Sequence, residues 1–202
     1  MSEDKTEVKE KTTRPKENKV FMHTCCAPCS VYCIDLLKSE GIEPVIFWYN
    51  PNIHPYTEYK LRRECLRDYA KKMSLEMIED NEYSLEEFVK RASKDLDNRC
   101  KKVCYTMRLE RAAKTASKLG FSKYTTTLMV SPYQDTESLI RIGQEMGRKY
   151  GVEFLVRDFK KGFREGQEKA RSLGMYMQKY CGCIFSEADR YMKNKWRIKK
   201  MS

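Results

Sequence analysis

Residues 20–50, VFMHTCCAPCSVYCIDLLKSEGIEPVIFWYN, lay out a strand, a helix and a second strand in succession. VFMHTCC reads as a short buried strand, and APCSVYCIDLLKSEG as the helix that follows, closed at Gly41. EPVIFWYN is apolar without alternation, the pattern of a strand covered on both faces. Strands joined through a helix run parallel, with a right-handed crossover. The loop between the first strand and its helix then lies at the carboxyl edge of the sheet, where open α/β folds bind ligands. In this chain that loop is built largely of cysteine.

The alternation continues beyond this unit. YTEYKLRRECLRDYAKKM (56–73) is an amphipathic helix, with Tyr59, Leu66, Tyr69, Ala70 and Met73 near helical spacing. LEMIED (75–80) is a third strand, and SLEEFVKRASKDL (84–96) a helix with Ser84 as N-cap and Glu87 completing a capping box. CYTMRLERAAKTASKLG (104–120) is a helix, KYTTTLMV (123–130) a β-branched fourth strand, DTESLIRIGQEMGRKYG (135–151) a helix and VEFLVRDF (152–159) a fifth strand. From Arg164 to Trp196 the chain is helical with irregular turns. This order predicts an α/β fold, a parallel sheet flanked by helices with a helical C-terminal part. Residues 1–18 read as a disordered polar tail and 19–202 as a single α/β domain.

Of the 202 residues, 41% are hydrophobic and 34% charged, a globular composition. The formal net charge of +11 makes a surface that draws polyanions, nucleic acid first, although a lysine-rich surface without a partner has the same sum. The first 18 residues hold five basic and five acidic side chains, so the excess lies on the body. KLRREC (60–65) and KNKWRIKK (193–200) are its dense clusters. The second interleaves tryptophan with basic side chains, which suits stacking on bases and equally describes a solvated terminal helix. The opening MSEDKTEVKE lacks the apolar core of a signal peptide, and VIFWY is too short to cross a bilayer, so no membrane and a cytoplasmic location are expected. Thiols there stay reduced, and nine cysteines point to metal or redox chemistry instead of a disulfide framework.

Seven of the nine cysteines fall in three short clusters. Cys25 and Cys26 close the first strand and Cys29 lies in the first turn of the next helix, where a helix N-terminus favours thiolate. Cys100 and Cys104 are spaced to share a helix face, and Cys181 and Cys183 are separated by Gly182 alone. Independent core packing would scatter these residues, and a thiolate-rich, histidine-poor set favours iron–sulfur or zinc. Cys33 and Cys65 sit on apolar helix faces and read as structural. His23 is either a donor behind the thiols or a buried histidine satisfied by backbone. His54, on a turn-rich loop after the second strand, is a possible substrate contact. The loop SPYQ (131–134), at the same sheet edge, offers Ser131, Tyr133 and Gln134 to a ligand, or simply starts a helix.

In this order, HTCCAPC (23–29), RCKKVCYTMRLERAA (99–113), TTTLMVSPYQ (125–134) and YCGC (180–183) resemble the cobalamin-independent epoxyqueuosine reductases, the QueH family, over roughly residues 20–190. The resemblance implies a Rossmann-like, nucleotide α-hydrolase-like (HUP-like) metalloenzyme domain. It also implies reduction of epoxyqueuosine in a tRNA anticodon to queuosine, the last step of tRNA queuosine biosynthesis. The cofactors it implies are a 4Fe–4S cluster and an additional iron ion, and the partners are the tRNA and an unidentified electron donor. Carried over by position, Cys25, Cys26, Cys100 and Cys104 are cluster ligands, Cys29 belongs to the neighbouring iron, and Cys181 and Cys183 are a redox-active pair or further ligands. Ser131, Tyr133, Gln134 and Arg108 are candidate substrate contacts, Arg108 through phosphate or paired with an acid. Two other readings are open. A tRNA thiolation enzyme would need a glycine-rich phosphate loop where TCCAPCS stands, and a zinc-stabilised RNA-binding module would use Cys-x2-4-Cys knuckles that adjacent Cys25 and Cys26 fit badly.

Overall fold

The computed structural model describes residues 18–192. The expectations for the polar tail before Asn18 and for KNKWRIKK lie outside the described residues. Five strands, β1 Lys19–His23, β2 Glu43–Trp48, β3 Met77–Glu79, β4 Lys123–Thr126 and β5 Glu153–Phe154, form one sheet in the order β3-β2-β1-β4-β5. Every neighbouring pair is parallel. The helices are α1 Ala27–Ser39, α2 Tyr56–Lys72, α3 Leu85–Ala92, α4 Tyr105–Lys118, α5 Thr136–Tyr150, α6 Phe163–Ser172 and α7 Ile184–Tyr191. From β1 the chain winds outward through β2 and β3, then returns to the other side of β1 for β4 and β5. The carboxyl ends of β1 and β4 therefore flank the switch point, the crevice where such sheets take ligands.

The continuous apolar runs behave as expected. Val20 to His23 and Val45 to Trp48 are fully buried, and Phe21 stacks on Phe47 with ring centroids 4.8 Å apart. Among the described residues no helix is long and apolar enough to cross a membrane.

Several boundaries depart from the sequence pattern, each for a local reason. The β-branched run 123–130 stays extended only to Thr126, whose hydroxyl accepts the Leu128 N–H at 3.2 Å and turns Thr127–Val130 into a 3-10 turn. β5 keeps two residues, and Phe159–Gly162 forms another 3-10 turn. The capping box at Ser84 does not form: its hydroxyl donates to Glu82 at 2.6 Å, and Glu87 pairs along the helix with Arg91. Cys100–Cys104 is a π turn leading into α4, a form that often marks functional sites. Within the basic cluster KLRREC, Arg62 is buried in an ion pair with Glu58.

Candidate metal centre

β1 ends at His23, and the chain leaves it through Thr24, Cys25 and Cys26 into α1, with Pro28 in the first helical turn. This short passage brings the sulfurs of Cys25, Cys26 and Cys29 within 4.8 Å of one another, a possible metal-binding site. Cys25 and Cys26 Sγ are 3.9 Å apart. Thr127, delivered by the turn after β4, accepts the Cys25 N–H at 3.1 Å and donates its hydroxyl to Cys25 Sγ at 3.4 Å. The thiols of Cys26 and Cys29, with Thr127 and Arg108, hold the Cys25 thiol well below its usual range against its burial. Burial pushes Cys26 up, and the hydrogen bond from Cys25 pushes Cys29 up.

The remaining clustered thiols stand apart from this close group: among the described residues only Cys25, Cys26 and Cys29 come together within 4.8 Å, and Cys100 and Cys104 do not join them. Cys100 and Cys104 lie on the π turn, and Cys181 and Cys183 on the segment before α7. Burial pushes the Cys104 thiol up, Arg108 pulls it down, and the charges of Cys181, Cys100 and Cys183 push it up again. Cys183 is buried and caps α7, its Sγ accepting the Ser186 N–H at 3.3 Å. Cys181 is exposed.

Arg108 stands between the two groups and is only 1% exposed. Its Nε donates to the Cys104 carbonyl at 3.1 Å and its Nη2 to Cys104 Sγ at 2.8 Å. Burial works against its charge, while Cys104, Cys181, Cys25 and Tyr105 work for it. No carboxylate is among these groups. The guanidinium's hydrogen bonds among the described residues go to Cys104.

Amide groups complete the lining. Gln134 Nε2 lies 3.5 Å from Cys181 Sγ, its oxygen accepting the Tyr105 hydroxyl at 2.8 Å. Gln178 Nε2 lies 3.5 Å from Cys29 Sγ. Sequence reasoning singled out Gln134 and missed Gln178; the available signal was its place three residues before Cys181. Ser131 is half-buried, its hydroxyl accepting the Tyr133 N–H at 3.3 Å, and Tyr133 is 85% exposed with its ring edge-on to Phe163.

His23 is satisfied on both nitrogens, at 2.8 Å from Thr126 Oγ1 and 3.1 Å from the Tyr49 carbonyl. A carbonyl only accepts, so Nε2 carries the hydrogen and Nδ1 accepts the threonine hydroxyl. Burial, then Arg108, lowers its pKa to about 3. It is a neutral brace across the switch point. Burial lowers His54 to about 4, its ring lying against Phe88 and Tyr83. Cys33 is fully buried behind the trio, and Cys65 is half-buried on α2.

The sequence profile of the family described as Epoxyqueuosine reductase QueH matches residues 20–189. The Thermotoga maritima protein of that name is 38% identical over 187 residues, covering 87% of this chain and 93% of its own. The Dehalococcoides mccartyi protein of the same name is 33% identical over 175 residues, covering 87% and 96%. The Haemophilus influenzae one is 35% identical over 199 residues, covering 94% and 79%. The match begins in the first strand, ends within α7 and spans all three cysteine clusters. The chain belongs to the QueH family of epoxyqueuosine reductases.

Proposed function

We propose that this chain reduces the epoxide of epoxyqueuosine in a tRNA anticodon to the cyclopentene of queuosine. Two electrons and two protons are taken up, both epoxide C–O bonds break, and the oxygen leaves as water. The observation that carries this reading is the packed Cys25, Cys26 and Cys29 trio at the switch point, with the buried Arg108 donating to Cys104 Sγ at 2.8 Å.

The donor set fits iron. Thiols bind metal as thiolates, so a loaded site would set negative charge against Arg108, which already donates to Cys104 Sγ. In this proposal Cys25, Cys26, Cys100 and Cys104 hold a 4Fe–4S cluster, Cys29 holds a further iron, and Cys181 and Cys183 form a redox-active pair. When bound, a cluster passes electrons singly and a neighbouring iron polarises the departing oxygen. The chain's own groups do the rest. Gln178 and Gln134 direct amide hydrogens at Cys29 and Cys181, and Thr127 does the same for Cys25 with its hydroxyl. Tyr133 offers an exposed ring for a base of the tRNA loop, Ser131 and Gln134 shape the loop beneath it, and the net charge of +11 favours the phosphates. An external donor supplies the electrons in the cytoplasm.

The test is iron, zinc and acid-labile sulfide per chain on protein purified without oxygen, joined to nucleoside analysis of epoxyqueuosine-bearing tRNA after reaction. Iron exceeding sulfide, with queuosine formed, supports the reading. Zinc without sulfide and no conversion overturns it in favour of a metal-stapled RNA binder.

A further inference from the structure

The segment Leu173–Cys183 joins α6 to α7 without helix or strand of its own, so its carbonyls have no ladder to join. Three successive ones, of Tyr180, Cys181 and Gly182, are nevertheless held. Arg62 donates Nη2 to Tyr180 O at 2.9 Å and Nη1 to Cys181 O at 2.9 Å, and the His54 N–H donates to Gly182 O at 2.8 Å. Arg62 is itself clamped, its Nε to Glu58 at 2.7 Å, and the second oxygen of Glu58 accepts the Tyr176 hydroxyl at 2.5 Å. The guanidinium also lies 5.4 Å from the Tyr180 ring centroid. Gly182 is seated directly on this group: with φ of +143°, a methyl there would stand 3.2 Å from Arg62 Nη1.

We propose that Arg62, held by Glu58, is a positioning residue that sets the place of Cys181 and Cys183 against the other thiols. Its side chain is 2% exposed and that of Glu58 9%, and a buried ion pair is poor value for stability because both charges are desolvated. What the pair supplies is geometry. A planar fork anchored at one edge by a carboxylate presents two donors at fixed spacing to the carbonyls of Tyr180 and Cys181, those before and after the Cys181 side chain. A lysine keeps the charge but cannot span Glu58 and both carbonyls at once. The consequence for turnover rests on the proposed reductase activity; the placement of the thiols does not.

The experiment uses the full chain purified without oxygen, as wild type, Arg62→Lys, Glu58→Gln and Tyr180→Phe. Alkylation of Cys181 by iodoacetamide is read by peptide mass spectrometry and divided by that of Cys65 in the same molecules, beside the melting temperature and the kcat and KM on epoxyqueuosine-bearing tRNA. For Arg62→Lys we expect the alkylation ratio to move about tenfold, as loss of charge-assisted bonds implies. We expect kcat to fall about 100-fold with KM little changed, the effect of a displacement of order 1 Å near the chemistry. Glu58→Gln moves both readouts less and in the same direction, and carries the test should Arg62→Lys not fold. Tyr180→Phe, which leaves Arg62 intact, moves them least. A folded Arg62→Lys with wild-type ratio and kcat, whatever its melting temperature, overturns the proposal. If the wild type reduces no epoxyqueuosine, the reductase reading fails, and an unchanged or shifted alkylation ratio still decides the role of Arg62.

Discussion

Replacing Arg108 by methionine should have opposite effects on the empty and the iron-loaded protein. The guanidinium is 1% exposed, its charge-bearing neighbours are thiols and a tyrosine, and the nearest thiol, Cys104, is pushed toward its protonated form by burial. Taking such an ion out of water costs several kcal/mol even after relaxation. Against this stand a charge-assisted bond to the Cys104 carbonyl, about 1.5–3 kcal/mol, and a weaker one to its sulfur. Methionine fills a comparable length without the charge, so the metal-free Arg108→Met protein should be more stable by about 2 kcal/mol. For a chain of this size that is roughly 4–8 °C in melting temperature. The loaded protein should move the other way, because the buried cation is then opposed by ligated thiolates. Iron retained per chain after gel filtration should fall at least by half, with Arg108→Lys between the two. The assay is thermal unfolding of the metal-free forms followed by circular dichroism, and iron content of the reconstituted forms. A metal-free Arg108→Met that melts below wild type, or one that loads iron as fully, refutes the reasoning.

Three further outcomes follow from the geometry. His23 and His54 are held neutral, with pKa lowered from 6.5 to about 3 and about 4, so the unfolded chain takes up protons that the native one refuses below pH 6.5. Stability of the metal-free protein is therefore complete above pH 6.5 and lost as pH falls toward 4, by roughly 4 kcal/mol at pH 5 for two such groups; urea unfolding with the same midpoint at pH 7 and pH 5 would count against it. Thr127→Val removes both the acceptor of the Cys25 N–H and the donor to its sulfur, and should cost about 1–3 kcal/mol while moving the pH profile of Cys25 alkylation upward; an unchanged profile would separate the hydroxyl from the thiolate. Tyr133→Ala should leave the melting temperature alone, since the ring is 85% exposed, and raise KM for the tRNA about tenfold, the worth of one stacked base; an unmoved KM would remove Tyr133 from the tRNA surface.

Much of this was legible along the chain because it is local. Strand and helix periods placed five strands and the helices between them, and apolar runs on both sides of the cysteine loop put that loop at the carboxyl edge. The errors were local conflicts as well. Thr125, Thr126 and Thr127 have the composition of a strand, but a threonine hydroxyl can also cap a turn, and at Thr126 it does. Ser84 and Glu87 have the spacing of a capping box, yet Glu82 and Arg91 compete for them and win. Glu58 and Arg62, four apart on a helix with other charges, look like a solvated face, and only the chain packed above them makes them a buried pair.

By itself, then, the sequence determined the parallel α/β class, the clustering of thiols into three short segments and, through those segments in order, the family. Spacing settles these because helix period, strand period and loop length are properties of neighbours. Which thiols meet is another matter. The trio of Cys25, Cys26 and Cys29 is close in sequence and was bound to be close in space. The approach of Cys181 to Cys104, the sulfur-lined burial of Arg108 and the seating of Tyr180, Cys181 and Gly182 on Arg62 join segments 70 to 120 residues apart. Contacts of that reach follow from the order β3-β2-β1-β4-β5, which folds the ends of β1 and β4 into one crevice and leaves the C-terminal segment to close over it. Only the tertiary structure decides them, because no local rule carries a side chain across a sheet.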